Sequence, residues 1–197
     1  LGTDDGGVDM FSLMVYGNHR AFRFAFAPEF WERVVDVAPT LIAAKFSRPN
    51  VLLDCLKVSK GRVHYLPHDG GMSKFYDLSP STTTACWSTA ASMGPEPVLE
   101  QVRALLAQDV VAMKKIAADL AWAREPIQPI TSDAELFATY NIQVEKTRIA
   151  DAGYCKAGPL RPPYHIWPDA YREAAREHAK RWRELCTKYA RTSAAAQ

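Results

Sequence analysis

Residues 51–66 read VLLDCLKVSKGRVHYL, which is two apolar runs separated by Ser59-Lys60-Gly61. Apolar runs on both sides of a short, glycine-containing turn predict a β-hairpin. Pro67 and the pair Gly70-Gly71 would end it, because proline lacks the backbone donor that a sheet needs and glycine favours turns. The pattern therefore predicts antiparallel β structure in the N-terminal part of the chain.

A second β signal lies upstream, in residues 10–27. Phe22, Phe24 and Phe26 alternate with smaller or charged residues, and Gly17-Asn18 is a good turn sequence, so we predict another hairpin-like segment. Pro28 then opens a short helix that Pro39 interrupts, with a helical restart predicted over residues 40–46.

The middle of the chain, residues 79–94, is rich in serine and threonine, a composition typical of a linker. Trp87 argues against free disorder, so we expect this linker to lie on the protein surface. It divides an α+β portion, residues 1–92, from a helical portion, residues 93–197, and the two are expected to pack as one compact unit.

The C-terminal half is predicted to be helical. Residues 97–124 form one long amphipathic pattern between Pro97 and Pro126. A capping-box pattern, Ser132-Asp133-Ala134-Glu135, starts another helix. Residues 139–146 also alternate like a strand; helix is the preferred interpretation. The predicted fold class is therefore α+β: N-terminal antiparallel hairpins with a short helix, then two or three longer helices, the last of them amphipathic.

That last helix, predicted over residues 168–191, separates its charged and apolar side chains cleanly. Seven basic and four acidic residues give it a net charge of +3, although the whole chain carries only +2. The apolar stripe includes Tyr171, His178, Trp182 and Tyr189, and the flanking basic face includes Arg172, Arg176, Lys180 and Arg183. We predict that these residues bind a partner, more readily a protein than a nucleic acid or an anionic membrane surface, because the interspersed acids weaken the positive field.

Several classes of protein find no support in the sequence. No apolar run approaches the roughly 18 residues of a transmembrane helix. The four cysteines are widely spaced without a Cys-x-x-Cys pair, which predicts reduced thiols and an intracellular, reducing compartment. The acidic, glycine-rich start does not resemble a signal peptide; it could be a processed end, a fragment or residues added for expression, and the sequence does not separate these. Phosphate-loop and common hydrolase motifs do not occur, and no cofactor is indicated.

His64, His68 and Asp69 form the chain's one histidine cluster. They could be metal ligands, or a general base held in place by an acid. A metal site would need a further ligand from a distant residue such as His19, Asp77 or His165. Two histidines at the end of a hairpin are more often ordinary surface residues.

Two further residues could carry chemistry. Asp109 falls within the apolar stripe of the predicted long helix, where burying an unpaired carboxylate would be costly, so we expect a salt bridge there before a catalytic acid or a polar residue that sets the register of an interface. Cys86 beside Trp87 could act as a nucleophile, but no partner base is evident, and a packed thiol is the preferred interpretation.

The leading functional hypothesis is a non-catalytic accessory or interaction protein, possible as a subunit of a larger assembly. This hypothesis rests on the long helices and on the lack of a strong catalytic motif. The alternative is an enzyme or a metal-binding protein with its site at His64, His68 and Asp69.

Overall fold

The computed structural model describes residues 13–16 and 25–195. The chain divides into two compact units between Trp87 and Ser88, within the predicted serine- and threonine-rich linker and just before the predicted boundary. None of the helices among these residues is both long and apolar enough to cross a membrane.

The first unit alternates strands and helices. Its elements are β1 (Leu13–Tyr16), α1 (Pro28–Val37), β2 (Leu41–Lys45), α2 (Leu52–Val58), β3 (His64–Leu66) and α3 (Met72–Leu78). The three strands form one sheet in the order β1-β2-β3, and both pairs are parallel. Parallel neighbours require a crossover connection, and here α1 and α2 each lie in such a connection.

The predicted hairpin over residues 51–66 is therefore wrong. Its first half is helix α2, in which Leu52 and Cys55 are buried one helical turn apart. The supposed hairpin turn ends this helix: Lys60 and Gly61 adopt φ values of 53° and 69°, and the Gly61 N–H donates to the Leu56 carbonyl at 3.1 Å. An apolar run this short fits either a strand or a helix turn, so tertiary packing made the choice.

Of the other N-terminal predictions, some are confirmed and some are wrong. The helical restart over residues 40–46 is wrong, because Leu41–Lys45 is strand β2, paired on both sides. The helix opened by Pro28 is confirmed and buries Trp31 and Val35. Within the predicted strand over residues 10–27, residues 13–16 are strand β1, but they pair in parallel with β2 and not in a hairpin. Gly17-Asn18, Phe22 and Phe24 lie outside the described residues.

Aromatic side chains form the core of this unit. Trp31 meets Tyr65 edge-on with ring centroids 5.1 Å apart, and Phe46 packs against Tyr65 at 4.9 Å. The Tyr65 hydroxyl donates to the Cys55 carbonyl at 3.2 Å. Ala44 and Tyr65 are paired and buried, so they place one face of the sheet against the helices. Successive residues alternate between the two faces, which puts Lys45 on the opposite face.

The second unit is helical. It contains α4 (Glu96–Leu106), α5 (Val110–Arg124), α6 (Gln128–Ser132), α7 (Ala134–Ala152) and α8 (Asp169–Ala195). The single helix predicted over residues 97–124 is wrong, because the chain turns at Gln108, which has φ 56°. Helix α7 was predicted correctly: the Asp133 carboxylate accepts from the N–H groups of Glu135 and Leu136, both at 2.9 Å, and the helix continues through residues 139–146.

The predicted amphipathic C-terminal helix is confirmed as α8. The buried positions of its stripe are Ala175, His178, Ala179, Trp182, Leu185 and Tyr189. Trp182 is fully buried, and its indole Nε1–H donates to the Gly94 carbonyl at 3.0 Å. Because Gly94 belongs to the same unit, this part of the chain itself supplies the surface that receives the stripe.

Candidate active site

The carboxyl ends of the three parallel strands carry the residues of interest. Tyr16, Lys45 and Leu66 are the last residues of β1, β2 and β3, and the register pairs Lys45 with both of the others. Ligands of open parallel sheets bind beyond the carboxyl ends of the strands, where the loops leave space. This end of the sheet is the place to look for a site.

Trp87 is held beside this end by backbone hydrogen bonds. Its N–H donates to the Pro67 carbonyl at 2.9 Å, and its own carbonyl accepts from the Asp69 N–H at 3.0 Å. These bonds form a short parallel bridge between His68 and Trp87 that follows directly on β3. The bridge fixes the indole ring next to β2.

The Lys45 ammonium lies over the face of this indole, with Nζ 3.5 Å from the ring centroid. Burial lowers the pKa of Lys45 below its ordinary value of 10.5, because a charged ammonium loses hydration there. A lower pKa increases the fraction of uncharged amine at neutral pH. An uncharged lysine amine is a nucleophile that forms imines with carbonyl compounds.

His68 and Asp69 form a hydrogen-bonded pair at the same edge. His68 Nδ1 lies 2.6 Å from Asp69 Oδ1, and Asp69 is fully buried, whereas 31% of the His68 side chain is exposed. The Gly70 N–H lies 2.5 Å from Asp69 Oδ1 and 3.2 Å from His68 Nδ1. We assign that N–H to the nearer carboxylate and a proton to His68 Nδ1, which leaves Nε2 as the basic nitrogen. The His68 ring also meets Trp87 edge-on, with centroids 4.6 Å apart.

The structure brings together two of the three residues of the predicted histidine cluster. His68 and Asp69 contact each other, whereas His64 is exposed and its Nδ1 lies 3.5 Å from Thr84 Oγ1. In the parts of the chain that the structure describes, no three histidine, cysteine or acidic side chains are placed to hold a metal ion. His19 lies outside those parts, and His165 is exposed in the second unit.

The other single-residue candidates have structural roles. Asp109 is exposed and caps α5, since its carboxylate accepts from the Ala112 N–H at 2.9 Å. The expected buried salt bridge is wrong, because the break after α4 removes Asp109 from any continuous apolar stripe. Cys86 is a partly buried thiol that forms no disulfide bond.

The predicted partner-binding residues of α8 fall into two groups. His178, Trp182 and Tyr189 are buried within their own unit, and Tyr171 is partly buried. The basic residues lie at or near the surface, where Arg172 pairs with Asp169 at 2.6 Å, Arg176 with Asp151 at 3.2 Å and Lys180 with Glu177 at 3.8 Å, and Arg183 is exposed. These ion pairs offset much of the positive charge; binding of a partner to this face stays a prediction.

Sequence reasoning missed Lys45 and Trp87. A lysine that ends the apolar run Leu41–Lys45 was one available signal, and a tryptophan within a serine- and threonine-rich stretch was another. Neither signal shows that the two side chains meet, because a strand pairing and a backbone bridge bring them together.

The proteins to which the chain is similar share one kind of name, although no family model matches the chain. The chain is 33% identical over 190 residues to trans-O-hydroxybenzylidenepyruvate hydratase-aldolase of Pseudomonas putida, covering 94% of this chain and 56% of that protein. It is 34% identical over 181 residues to the enzyme of the same name from Sphingobium xenophagum, covering 88% and 53%. It is 30% identical over 187 residues to trans-2'-carboxybenzalpyruvate hydratase-aldolase of Nocardioides sp. strain KP7, covering 93% and 56%.

A solved structure gives the same result. The chain matches PhdJ bound to a substrate intermediate with a TM-score of 0.81 and 30% identity, over 90% of this chain and 55% of that one. The chain spans about half the length of the curated relatives that it matches. The likeness to catalytic proteins contradicts the hypothesis of a non-catalytic accessory or interaction protein, and the likeness to PhdJ contradicts the fold class with N-terminal antiparallel hairpins.

Proposed function

We propose that the chain carries a hydratase-aldolase site for 2-oxo acids with an arylidene group, and that Lys45 is its imine-forming residue. The observation that supports this is the position of Lys45: it ends a parallel strand, burial lowers its pKa, and its amine lies against Trp87. The similar proteins are named for reactions of benzylidenepyruvate and carboxybenzalpyruvate.

The first step is imine formation. The uncharged Lys45 amine attacks the 2-oxo carbon of the substrate, and the resulting carbinolamine loses its oxygen as water to leave an iminium ion. Because the iminium carbon is conjugated with the substrate's C3=C4 double bond, it draws electrons from C4. Burial, which lowers the pKa of Lys45, increases the fraction of uncharged amine that can start this step.

The iminium serves both halves of the reaction. Water adds to C4 and the electrons of the double bond move toward the imine nitrogen; a proton on C3 completes the hydration. Loss of the proton from the C4 hydroxyl then breaks the C3–C4 bond, which releases an aromatic aldehyde and leaves an enamine on Lys45. Protonation and hydrolysis of that enamine release pyruvate and restore the amine.

Tyr16 is a second candidate residue on the basis of its backbone position. It ends β1 in register with Lys45. Tyrosine is among the residue types that transfer protons in active sites. We expect Tyr16→Phe to slow turnover about 100-fold or more, measured as the loss of the conjugated substrate's ultraviolet absorbance.

The test of the proposal is reductive trapping. Incubation with pyruvate and cyanoborohydride would reduce the imine to a stable secondary amine, and peptide mass spectrometry would locate it. We expect the adduct on Lys45, with none in Lys45→Met, a variant of similar length that keeps an apolar stem in place.

The matched control is Lys57→Met, since Lys57 is an exposed lysine on α2 of the same unit. This variant should trap pyruvate at the wild-type level and turn over o-hydroxybenzylidenepyruvate normally. An adduct that persists in Lys45→Met, or is spread over surface lysines, would reject Lys45 as the imine-forming residue.

A reducing compartment is the finer proposal about location. None of the four cysteines forms a disulfide bond, and Cys155 is exposed. Free thiols, one of them at the surface, are compatible with a reducing environment. Mass spectrometry after alkylation in cell extract, without reductant, is expected to find all four cysteines as thiols.

A further inference from the structure

The hydration half of the reaction needs a base, and the imine chemistry leaves His68 without a role. His68 and Lys45 contact the same indole ring: Lys45 Nζ lies 3.5 Å from the centroid of Trp87, and the His68 ring meets that indole edge-on at 4.6 Å. The two groups come from adjacent parallel strands, since Lys45 ends β2 and His68 follows β3. A substrate held on Lys45 would therefore begin beside the indole ring that His68 also contacts.

We propose that His68 is the general base that activates the water added to C4, and that Asp69 is the residue that positions it. This inference rests on the proposed function, because it needs a substrate joined to Lys45. It assigns to His68 a step that Lys45 cannot perform, since the lysine nitrogen is occupied in the iminium.

The hydrogen bonds around His68 fit this role. The Asp69 carboxylate accepts from Nδ1 at 2.6 Å, which orients the ring and leaves Nε2 able to take a proton. Asp69 is fully buried, and the Gly70 N–H stabilises its charge at 2.5 Å. The carboxylate can in turn stabilise the imidazolium that forms when Nε2 takes a proton, as in other histidine–carboxylate pairs.

The exposure of His68 also suits a residue that meets water. Its side chain is 31% exposed, so solvent can reach it while its Nδ1 side faces a buried acid. Among the residues that the structure describes, the charged or titratable groups next to it in sequence or on the neighbouring strand ends are Lys45 on β2, His64 on β3 and Asp69. His64 is exposed, and its Nδ1 lies 3.5 Å from Thr84 Oγ1.

The proton balance of the step is complete. The oxygen of water bonds to C4, one of its protons passes to His68 Nε2, and the electrons of the C3=C4 bond move to the imine nitrogen. C3 then takes a proton, which His68 can return, so that one water has added across the double bond. In the cleavage half His68 takes the proton of the C4 hydroxyl as the C3–C4 bond breaks, and gives it up during enamine protonation.

The experiment separates this inference from the proposed function. His68→Gln and His68→Ala are compared with the wild type in two assays: cyanoborohydride trapping of pyruvate on Lys45, and turnover of o-hydroxybenzylidenepyruvate. Pyruvate has no C3=C4 bond, so its trapping tests Lys45 alone. We expect both variants to trap pyruvate at the wild-type rate and to lose turnover by about 100-fold or more.

Two further measurements identify the role as proton transfer. Added imidazole should restore part of the turnover of His68→Ala, because it can occupy the vacated space, and should not help His68→Gln. Asp69→Asn should slow turnover, and the double variant His68→Gln/Asp69→Asn should be no slower than His68→Gln, because the carboxylate acts through the histidine. His165→Gln, a change to an exposed histidine of the second unit, should be unchanged in both assays.

Several results of these experiments would overturn the role of His68. Normal turnover in His68→Gln, or lost turnover in His68→Ala that imidazole does not raise, overturns the proposal. Loss of pyruvate trapping in both His68 variants would assign the residue to imine formation or folding, and also overturns it. Failure of the wild-type protein to trap pyruvate on Lys45 would instead refute the proposed function.

Discussion

Gly94 is the position where one added methyl group should do the most damage in the helical unit. Its φ of 132° is a conformation that side chains other than glycine rarely adopt. A Cβ there would overlap Cys186 Sγ and lie 3.0 Å from Glu96 Oε2, and the Gly94 carbonyl is the acceptor for the Trp182 indole at 3.0 Å. Gly94→Ala therefore strains the backbone and displaces the contact that holds α8.

The expected loss of stability in Gly94→Ala has two contributions, backbone strain and overpacking. Backbone strain of this kind costs about 1–3 kcal/mol. Overpacking a filled site costs about 1–3 kcal/mol more. We expect Gly94→Ala to lower the free energy of unfolding by about 3 kcal/mol or more. Gly153→Ala is the matched control: Gly153 has φ 79° but no atom within 4 Å of the added Cβ, so only a backbone cost of about 1–2 kcal/mol applies.

The assay is urea unfolding followed by far-ultraviolet circular dichroism, which reports all helices of the chain, most of which lie in this unit. A third variant, Gly94→Ala/Cys186→Ala, removes the overlapping sulfur and should be destabilised by less than the sum of the two single changes. Equal losses for Gly94→Ala and Gly153→Ala, or strict additivity in the double variant, would refute the packing argument.

Three further predictions concern other parts of the molecule. Asp109→Ala should lower the free energy of unfolding by about 0.5–2 kcal/mol because it removes the cap of α5, whereas Asp109→Asn should keep most of the capping stabilisation. Equal losses in the two variants would contradict a capping role. Burial alone would raise the pKa of Asp119, but hydrogen bonds, first that of Lys188, outweigh burial and hold it below its ordinary 3.8. The Asp119 carboxylate therefore stabilises the fold at neutral pH and loses this effect on acidification. The difference in free energy of unfolding between wild type and Asp119→Asn should shrink below a pH of about 4. A difference that stays constant with pH would contradict this role of Asp119. Iodoacetamide at neutral pH should modify exposed Cys155 before buried Cys55, whose pKa burial raises to about 11. Peptide mass spectrometry would show the order of modification, and modification of Cys55 first would contradict this prediction.

The candidate site illustrates what sequence reasoning could reach. His68 and Asp69 were identified because they are neighbours in the chain, and adjacent residues are visible without a fold. Lys45 and Trp87 were missed because their contact depends on a bridge between two distant segments. The lowered pKa of Lys45 has the same origin, since burial is a property of the assembled unit.

Local chemistry determined several elements of this protein. The separation of charged and apolar residues in α8, the capping side chain of Asp133 and the proline that opens α1 each act within a few residues, so the sequence was enough to predict those helices. The periodic pattern of α8 extends over enough turns to exclude a strand, whereas residues 139–146 of α7 also alternate like one, and there the cap at Asp133 favoured the helix.

Tertiary structure decided the rest. Residues 52–58 are apolar in a pattern short enough for strand or helix, and only their packing against the sheet and the left-handed turn at Gly61 make them helical. The parallel order of β1, β2 and β3 likewise depends on pairings between distant segments, which no local pattern contains. Because that order places Lys45 at a carboxyl edge beside Trp87, the candidate active site exists only in the folded chain.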